Sequence, residues 1–364
     1  MVILFIYVLL LVLPSSVSAS SSITFSSVIV TQVQDALAPR ESSNDYVITS
    51  KKSYEGFFVD SGFTNSTTTQ IISIYQQQIR SNSKPPKFVF ITHGHPDHLA
   101  GLSLIKKIYP TTPIYVTTEQ VAGEALKWMN FTCTNGFISI DQCNIDFKRV
   151  LRVLTSPRTQ LTFNDTSVEL SALNVLVKGE SSYAGFLGIS TSSKDYLLFT
   201  GDAITIRSHL WVSNFFDTNQ LPSSDDALCA WTGNMKTSVC DLQLAGRKAT
   251  IFPGHGPISG PLNYTKDISR NIAWLRTLRN LTFNSCNTTY VWSQMIRLYP
   301  DFGEKHLAAS GGLTTHIPAD ANSVNCNCIN DSPTICPVYK APPTCPYLDI
   351  NESDTTLACD IRYT

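Results

Sequence analysis

Within six residues the chain sets three of its seven histidines and an aspartate: His93, His95, Asp97 and His98, in "KFVFITHGHPDHLAG". Imidazole nitrogens and carboxylate oxygens are the donors that hold divalent transition cations. The apolar run Phe88–Ile91 reads as a short buried strand delivering the chain into this cluster. His93 and His95, two apart in extended backbone, then face the same way and can reach one ion. Pro96 forces a turn, so Asp97 and His98 open the next helix on a different bearing, where they can serve a neighbouring ion. The competing reading is a polar turn that is merely rich in imidazole. What separates the two is whether the rest of the chain supplies the missing ligands.

Two further stretches supply them. "LLFTGDA" puts Asp202 just past an apolar strand, where a carboxylate can bridge two cations, and "ATIFPGHGP" does the same for His255. Each alone is ordinary turn chemistry after a strand. Donors at the ends of three separate strands point instead to a site for more than one ion.

The order H-x-H-x-D-H, then "TGD", then "PGHGP" resembles the metallo-β-lactamase-fold hydrolases over roughly residues 25–280. That resemblance implies an α/β fold, a four-layer αββα sandwich with two divalent metal ions at its rim, zinc first, with manganese or iron as alternatives. It implies His93 and His95 on the first metal, Asp97, His98 and His255 on the second, and Asp202 between them. Asp60, in "FVDSG", matches an early strand-end aspartate that supports the site rather than ligating. One position departs from the pattern. Where a histidine after glycine is expected, the chain reads "VLVKGESSYAG", with Glu180 in its place. Glu180 is open to three readings: a carboxylate ligand of the first metal, a supporting group beside a water, or the mark of a degraded first site. As a ligand it would bring the charge of Asp97, Glu180, Asp202 and a bridging hydroxide level with that of two dications. A more negative site makes the pair less electrophilic and lets harder ions compete with zinc.

Such a site implies a hydrolase in which a metal-bridging hydroxide attacks an ester, lactone, thioester or amide carbonyl. Asp97 is its catalytic residue, orienting the nucleophile as well as ligating. No G-x-S-x-G is present to suggest a serine nucleophile. The bridging-type Asp202 resembles the glyoxalase and lactonase branches more than the β-lactamases themselves, and with iron a non-hydrolytic oxygenase stays open. The alternative is a catalytically altered secreted glycoprotein acting as a binding or structural module. Formal net charge is −1 and no basic run occurs, so the expected partner is a small-molecule substrate and not a nucleic acid.

The elements that must position these donors alternate. Residues 25–60 read as successive strands, Thr69–Ile79 as a helix, Leu99–Ile108 as a helix, Pro113–Thr118 as a strand and Glu119–Met129 as a helix. Paired strands follow up to Asp202, then a short one over Ala249–Phe252, then a helix over Asp267–Arg279 with Ile268, Ile272 and Leu275 on one face. The remaining histidines, His209, His306 and His316, read as surface or loop residues, with His209 close enough after Asp202 to meet substrate.

Residues 1–19 read as a secretory signal peptide: the apolar run Val2–Leu13, Pro14, and Val17 and Ala19 at the −3 and −1 positions. No Lys or Arg precedes the run, and a retained anchor is the competing reading. Eight N-x-Ser/Thr acceptors and ten cysteines accord with secretion and with no stable membrane association once the signal is removed. A metallo-β-lactamase-like domain is expected over 20–300 and a Cys-rich extension over 301–364. Cys133/Cys143 and Cys229/Cys240 are spaced as local staples. Cys286 is then the natural partner for one of the five tail cysteines.

Overall fold

A computed structural model describes residues 20–38, 41–154, 158–161, 163, 168–175, 184–191, 195–210, 231, 235, 248–258, 264–284 and 288–303. Strands β1 (Ser20–Thr24), β2 (Val28–Ala38), β3 (Glu41–Ser50), β4 (Gly56–Val59), β5 (Val89–Phe90), β6 (Ile114–Val116) and β7 (Leu151–Val153) form one sheet in sequential order. It is antiparallel from β1 to β4 and parallel from β4 to β7. The second sheet is ordered β12-β11-β10-β9-β8. It is built from β8 (Arg158–Leu161), β9 (Val168–Val175), β10 (Ala184–Thr191), β11 (Asp195–Gly201) and β12 (Lys248–Pro253), and only β11 and β12 are parallel.

Period-2 patterning splits each strand between two apolar layers. Leu187, Ile189, Leu197 and Phe199 point inward against Val30, Ile48, Phe57 and Phe90 of the first sheet, and Tyr46, Phe199 and Phe252 pack ring to ring there. The intervening Phe186, Leu198 and Ile251 point outward, onto α7 (Tyr264–Asn284) and α8 (Thr288–Leu298). The outer face of the first sheet, through Val47, Phe58 and Val89, is covered by a second set of helices. These are α1 (Asn65–Ile79), α2 (Pro96–Leu99), α3 (Leu102–Ile108), α4 (Glu119–Thr134), α5 (Ile140–Cys143) and α6 (Phe147–Val150). The result is the four-layer αββα sandwich that the resemblance implies.

Local sequence explains the helix starts. Thr64 and Thr118 accept from the backbone N–H groups of Thr67 and Val121, capping α1 and α4. The single helix expected over Leu99–Ile108 is two, with Ala100 and Gly101 between α2 and α3. The face of α7 is as expected, Ile268, Ile272 and Leu275 all being buried, but α8 had no sequence expectation. Cys133 and Cys143 are disulfide-bonded. Cys229, Cys240, Cys286 and the tail cysteines lie outside the described residues, as do the leader and 304–364. Asn65, Asn130 and Asn280, three of the glycosylation acceptors, are exposed. Among the described residues no helix is long and apolar enough to cross a membrane.

His209 corrects an expectation. It lies in a loop, as expected, but is fully buried and not at the surface. Trp274 Nε1 donates to its Nδ1 at 3.0 Å, and its ring packs against Trp274, Trp292 and Phe302. The aromatic residues that enclose it come from α7, α8 and the turn after α8, remote in sequence.

Candidate metal centre

Parallel strands end at the same edge, and here the carboxyl ends of β4, β5, β11 and β12 come to one rim. Past those ends stand Asp60, the His93–His98 segment, Asp202 and His255. Their donor atoms form two groups, Asp97–His98–Asp202–His255 and His93–His95–Asp202. Within each group every ligand atom lies within 4.8 Å of the others. Asp202 is common to both. Its Oδ2 is 3.6 Å from His93 Nε2 and 3.1 Å from His255 Nε2, and its Oδ1 is 3.2 Å from His98 Nε2. Asp97 Oδ2 lies 3.3 Å from His98 Nε2 and 3.4 Å from His255 Nε2. The rings of His93 and His95 are 4.7 Å apart. Thus six of the seven residues singled out as ligands converge. The seventh, Glu180, lies outside the described residues. The chain re-enters the described part at Ala184, and the next residue, Gly185, donates its N–H to Thr92 O at 2.6 Å, beside His93.

Asp60 does not enter either group. Its backbone is left-handed (φ 63°), which aims its carboxylate at the back of the histidines. Oδ2 lies 3.0 Å from His98 Nδ1 and accepts from the Thr92 hydroxyl at 2.9 Å, while Oδ1 accepts from Thr92 N–H at 2.9 Å. Since Thr92 Oγ1 gives its proton to Asp60, it can only accept from His93 Nδ1, 3.1 Å away. With Nδ1 as the donor on both rings, Nε2 is the nitrogen that His93 and His98 turn towards Asp202, the one a cation would take up once its proton is gone. A single carboxylate therefore orients one histidine of each group.

Three consecutive polar residues of β3, all fully buried, tie the loops together. Ser43 Oγ donates to Asp97 O at 3.3 Å, and Ser43 bridges His255. The Asn44 side chain donates to Pro253 O at 3.0 Å and Gly256 O at 2.7 Å, and its backbone N–H to Gly254 O at 2.7 Å. Asp45 Oδ1 accepts from Gly62 N–H at 2.7 Å, and burial pushes its carboxyl well above the usual range. The one signal for these residues in the sequence is the run Ser42–Asp45, which breaks the apolar alternation of a strand. Gly254 completes the fit: a Cβ there would stand 2.0 Å from Asp202 Oδ1, so no other residue lets the two loops approach.

The charges are strongly coupled. Burial alone would lower the His98 imidazole, but Asp97, Asp202 and Asp60 outweigh it and hold it well above the ordinary histidine range. His255 is raised in the same way, against burial, by Asp202 and Asp97. Conversely, burial would raise Asp97 and Asp202, yet the surrounding imidazoles hold both carboxyls well below the usual range. In the metal-free centre His98 and His255 therefore keep protons at neutral pH, and a cation must expel them to bind. Apparent metal affinity is expected to rise with pH until the raised imidazole values are passed, and to fall on acidification. Calorimetric titration at about pH 7 in buffers of different ionisation enthalpy should register proton release on binding. Affinity that does not change with pH would contradict the assignment.

The donor set fits divalent cations. Among the described residues His98 Nε2 and Asp202 Oδ1 are buried atoms with no partner in hydrogen-bonding geometry, although they face one another. Histidine with carboxylate is a donor set suited to zinc and its first-row neighbours. An αββα sandwich with polar donors gathered at its strand ends describes a class of metalloprotein scaffold. The sequence pattern of the metallo-beta-lactamase superfamily matches residues 38–255, and the chain belongs to that superfamily. Among solved structures it is similar to a metallo-beta-lactamase from Pontibacter korlensis, at 14% identity and a TM-score of 0.46, over 71% of this chain and 99% of that one. It is also similar to the metallo-beta-lactamase FIM-1 from Pseudomonas aeruginosa in the mono-zinc form, at 15% identity and a TM-score of 0.45, over 68% and 92%. A metallo-beta-lactamase from Hirschia baltica stands at 14% identity and a TM-score of 0.45, over 70% and 97%. No curated protein sequence matches the chain.

Proposed function

We propose that the chain is a secreted metal-dependent hydrolase acting on a small molecule with an ester, lactone, thioester or amide bond. His93, His95 and Asp202 would hold one divalent ion, with Glu180 completing that set, and Asp97, His98, Asp202 and His255 a second. Zinc is the first choice, with manganese or iron favoured by each added carboxylate. The observation that carries the reading is the position of Asp202, one buried carboxylate common to both donor groups. Bound ions supply a water of lowered pKa and a polarised carbonyl.

The chain's own groups account for the rest. Asp97 keeps 20% of its side-chain surface open, whereas His98, Asp202 and His255 keep 0%, 4% and 6%. It would be the carboxylate that meets arriving water and orients it as the nucleophile. Asp60 and Thr92 hold two imidazoles against rotation. Secretion is supported by the leader pattern and by the Cys133–Cys143 bond, since such bonds persist in oxidising compartments.

Metal analysis of purified protein, with a panel of chromogenic esters, thioesters and lactones, tests the reading. The expected result is two equivalents of metal and a turnover that chelator removes with them. Protein with neither metal nor turnover would be a binding module instead. In the same assay Glu180→Ala is expected to lower metal content, and unchanged content would remove Glu180 from the ligand set.

A further inference from the structure

We infer that the face of α4 beside His95, extended by the disulfide-stapled loop that follows, is the wall that receives the apolar part of the substrate. The group it fits is an acyl or aryl chain of medium length. This rests on the hydrolase reading above and assigns its substrate class.

Gly94 seats the helix. A Cβ there would meet Ala125 N at 2.6 Å, so α4 lies directly on the turn between His93 and His95. One turn further along, the Trp128 ring stands edge-on to the His95 ring at 5.1 Å. Phe131 meets Trp128 at 5.9 Å, and Phe137 meets Phe131 at 5.8 Å. Exposure rises outward along this series, from 9% at Trp128 to 51% at Phe137, and Ile140, at the start of α5, is 75% exposed. The Cys133–Cys143 bond brackets Phe137 and Ile140 and ties their loop back to α4. An apolar strip leading from a candidate metal ligand into solvent, on a loop fixed by a covalent bond, is laid out for a chain whose polar end sits at the centre. A partner protein or a membrane would use the exposed end alone and would leave the contact with His95 without a purpose.

The test uses metal-loaded protein and p-nitrophenyl esters from acetate to decanoate. Its comparison variant is the double substitution Phe131→Ser and Phe137→Ser, at two positions outside the buried core. For the unsubstituted protein kcat/KM is expected to rise about twofold per methylene, as one-sided burial of each group allows. In the variant the decanoate-to-acetate ratio should fall at least about tenfold, with the thermal unfolding midpoint retained. An unchanged ratio would overturn the inference.

Quenching of tryptophan fluorescence by 10-bromodecanoate, whose bromine quenches on contact, reads the wall without turnover. Weaker quenching in the variant supports the wall even if no ester is cleaved, so its fate separates from that of the hydrolase reading. Equal quenching in both proteins would overturn it. Adsorption to phosphatidylcholine vesicles with no dependence on acyl length would also overturn it, reassigning the strip to a membrane surface.

Discussion

Asp202→Asn is expected to empty both metal positions together and to abolish turnover. The substitution keeps the size of the side chain and removes its charge. Asp202 is buried at 3% exposure and faces His93, His98 and His255 at 3.6, 3.2 and 3.1 Å. Among the described residues, neutralising it leaves Asp97 as the one carboxylate of the two donor groups, so the cations lose a shared anionic ligand and the histidines lose a charge that balances them. A supporting residue typically costs roughly 10- to 100-fold in metal affinity, and a carboxylate shared by two ions should cost more than that. Inductively coupled plasma analysis of the purified variant, with circular dichroism to confirm the fold, checks the result. Loss of one metal with the other fully retained would show that Asp202 is terminal to a single ion.

Asp60→Asn should produce the second-largest effect, and a different pattern. Asp60 touches no candidate metal position, yet it faces His98 Nδ1 at 3.0 Å and reaches His93 through Thr92. An asparagine presents an N–H₂ group on one side, so it cannot accept from both Thr92 and His98. One imidazole is then released to rotate or to change tautomer. Metal affinity is expected to fall by roughly 10- to 100-fold while the stoichiometry at saturating metal stays the same. Turnover should recover on adding excess metal, which it would not do for Asp202→Asn. If Asp60→Asn lost metal irreversibly at any concentration, it would be acting as a ligand.

How much of this was legible in sequence depends on the range of the interactions. The H-x-H-x-D-H segment could be read because its geometry is local: a strand presents residues two apart on one face, and Pro96 turns the chain. The inner face of α7 and the Cys133–Cys143 pair were legible for the same reason. The Ser43–Asn44–Asp45 clamp was not, because nothing near β3 in the chain shows that Pro253 and Gly256 need donors. The burial of His209 was missed because an imidazole in a loop carries no mark of Trp274, Trp292 and Phe302 around it. The aromatic strip beside His95 likewise needed the contact between Gly94 and Ala125 before its residues meant anything together.

By itself, the sequence determined the inventory of donors, their order along the chain and the strands that deliver them, all of which follow from alternation and turn chemistry within a few residues. Tertiary structure alone decided which donors share a centre, which ring nitrogen faces it and which carboxylate stands behind. Those choices are made by hydrogen bonds closed over long loops, 38 residues from Asp60 to His98 and 212 from Asn44 to Gly256. A side chain's bearing is set by whatever partner is there when such a loop closes, and that partner is not a neighbour in the chain.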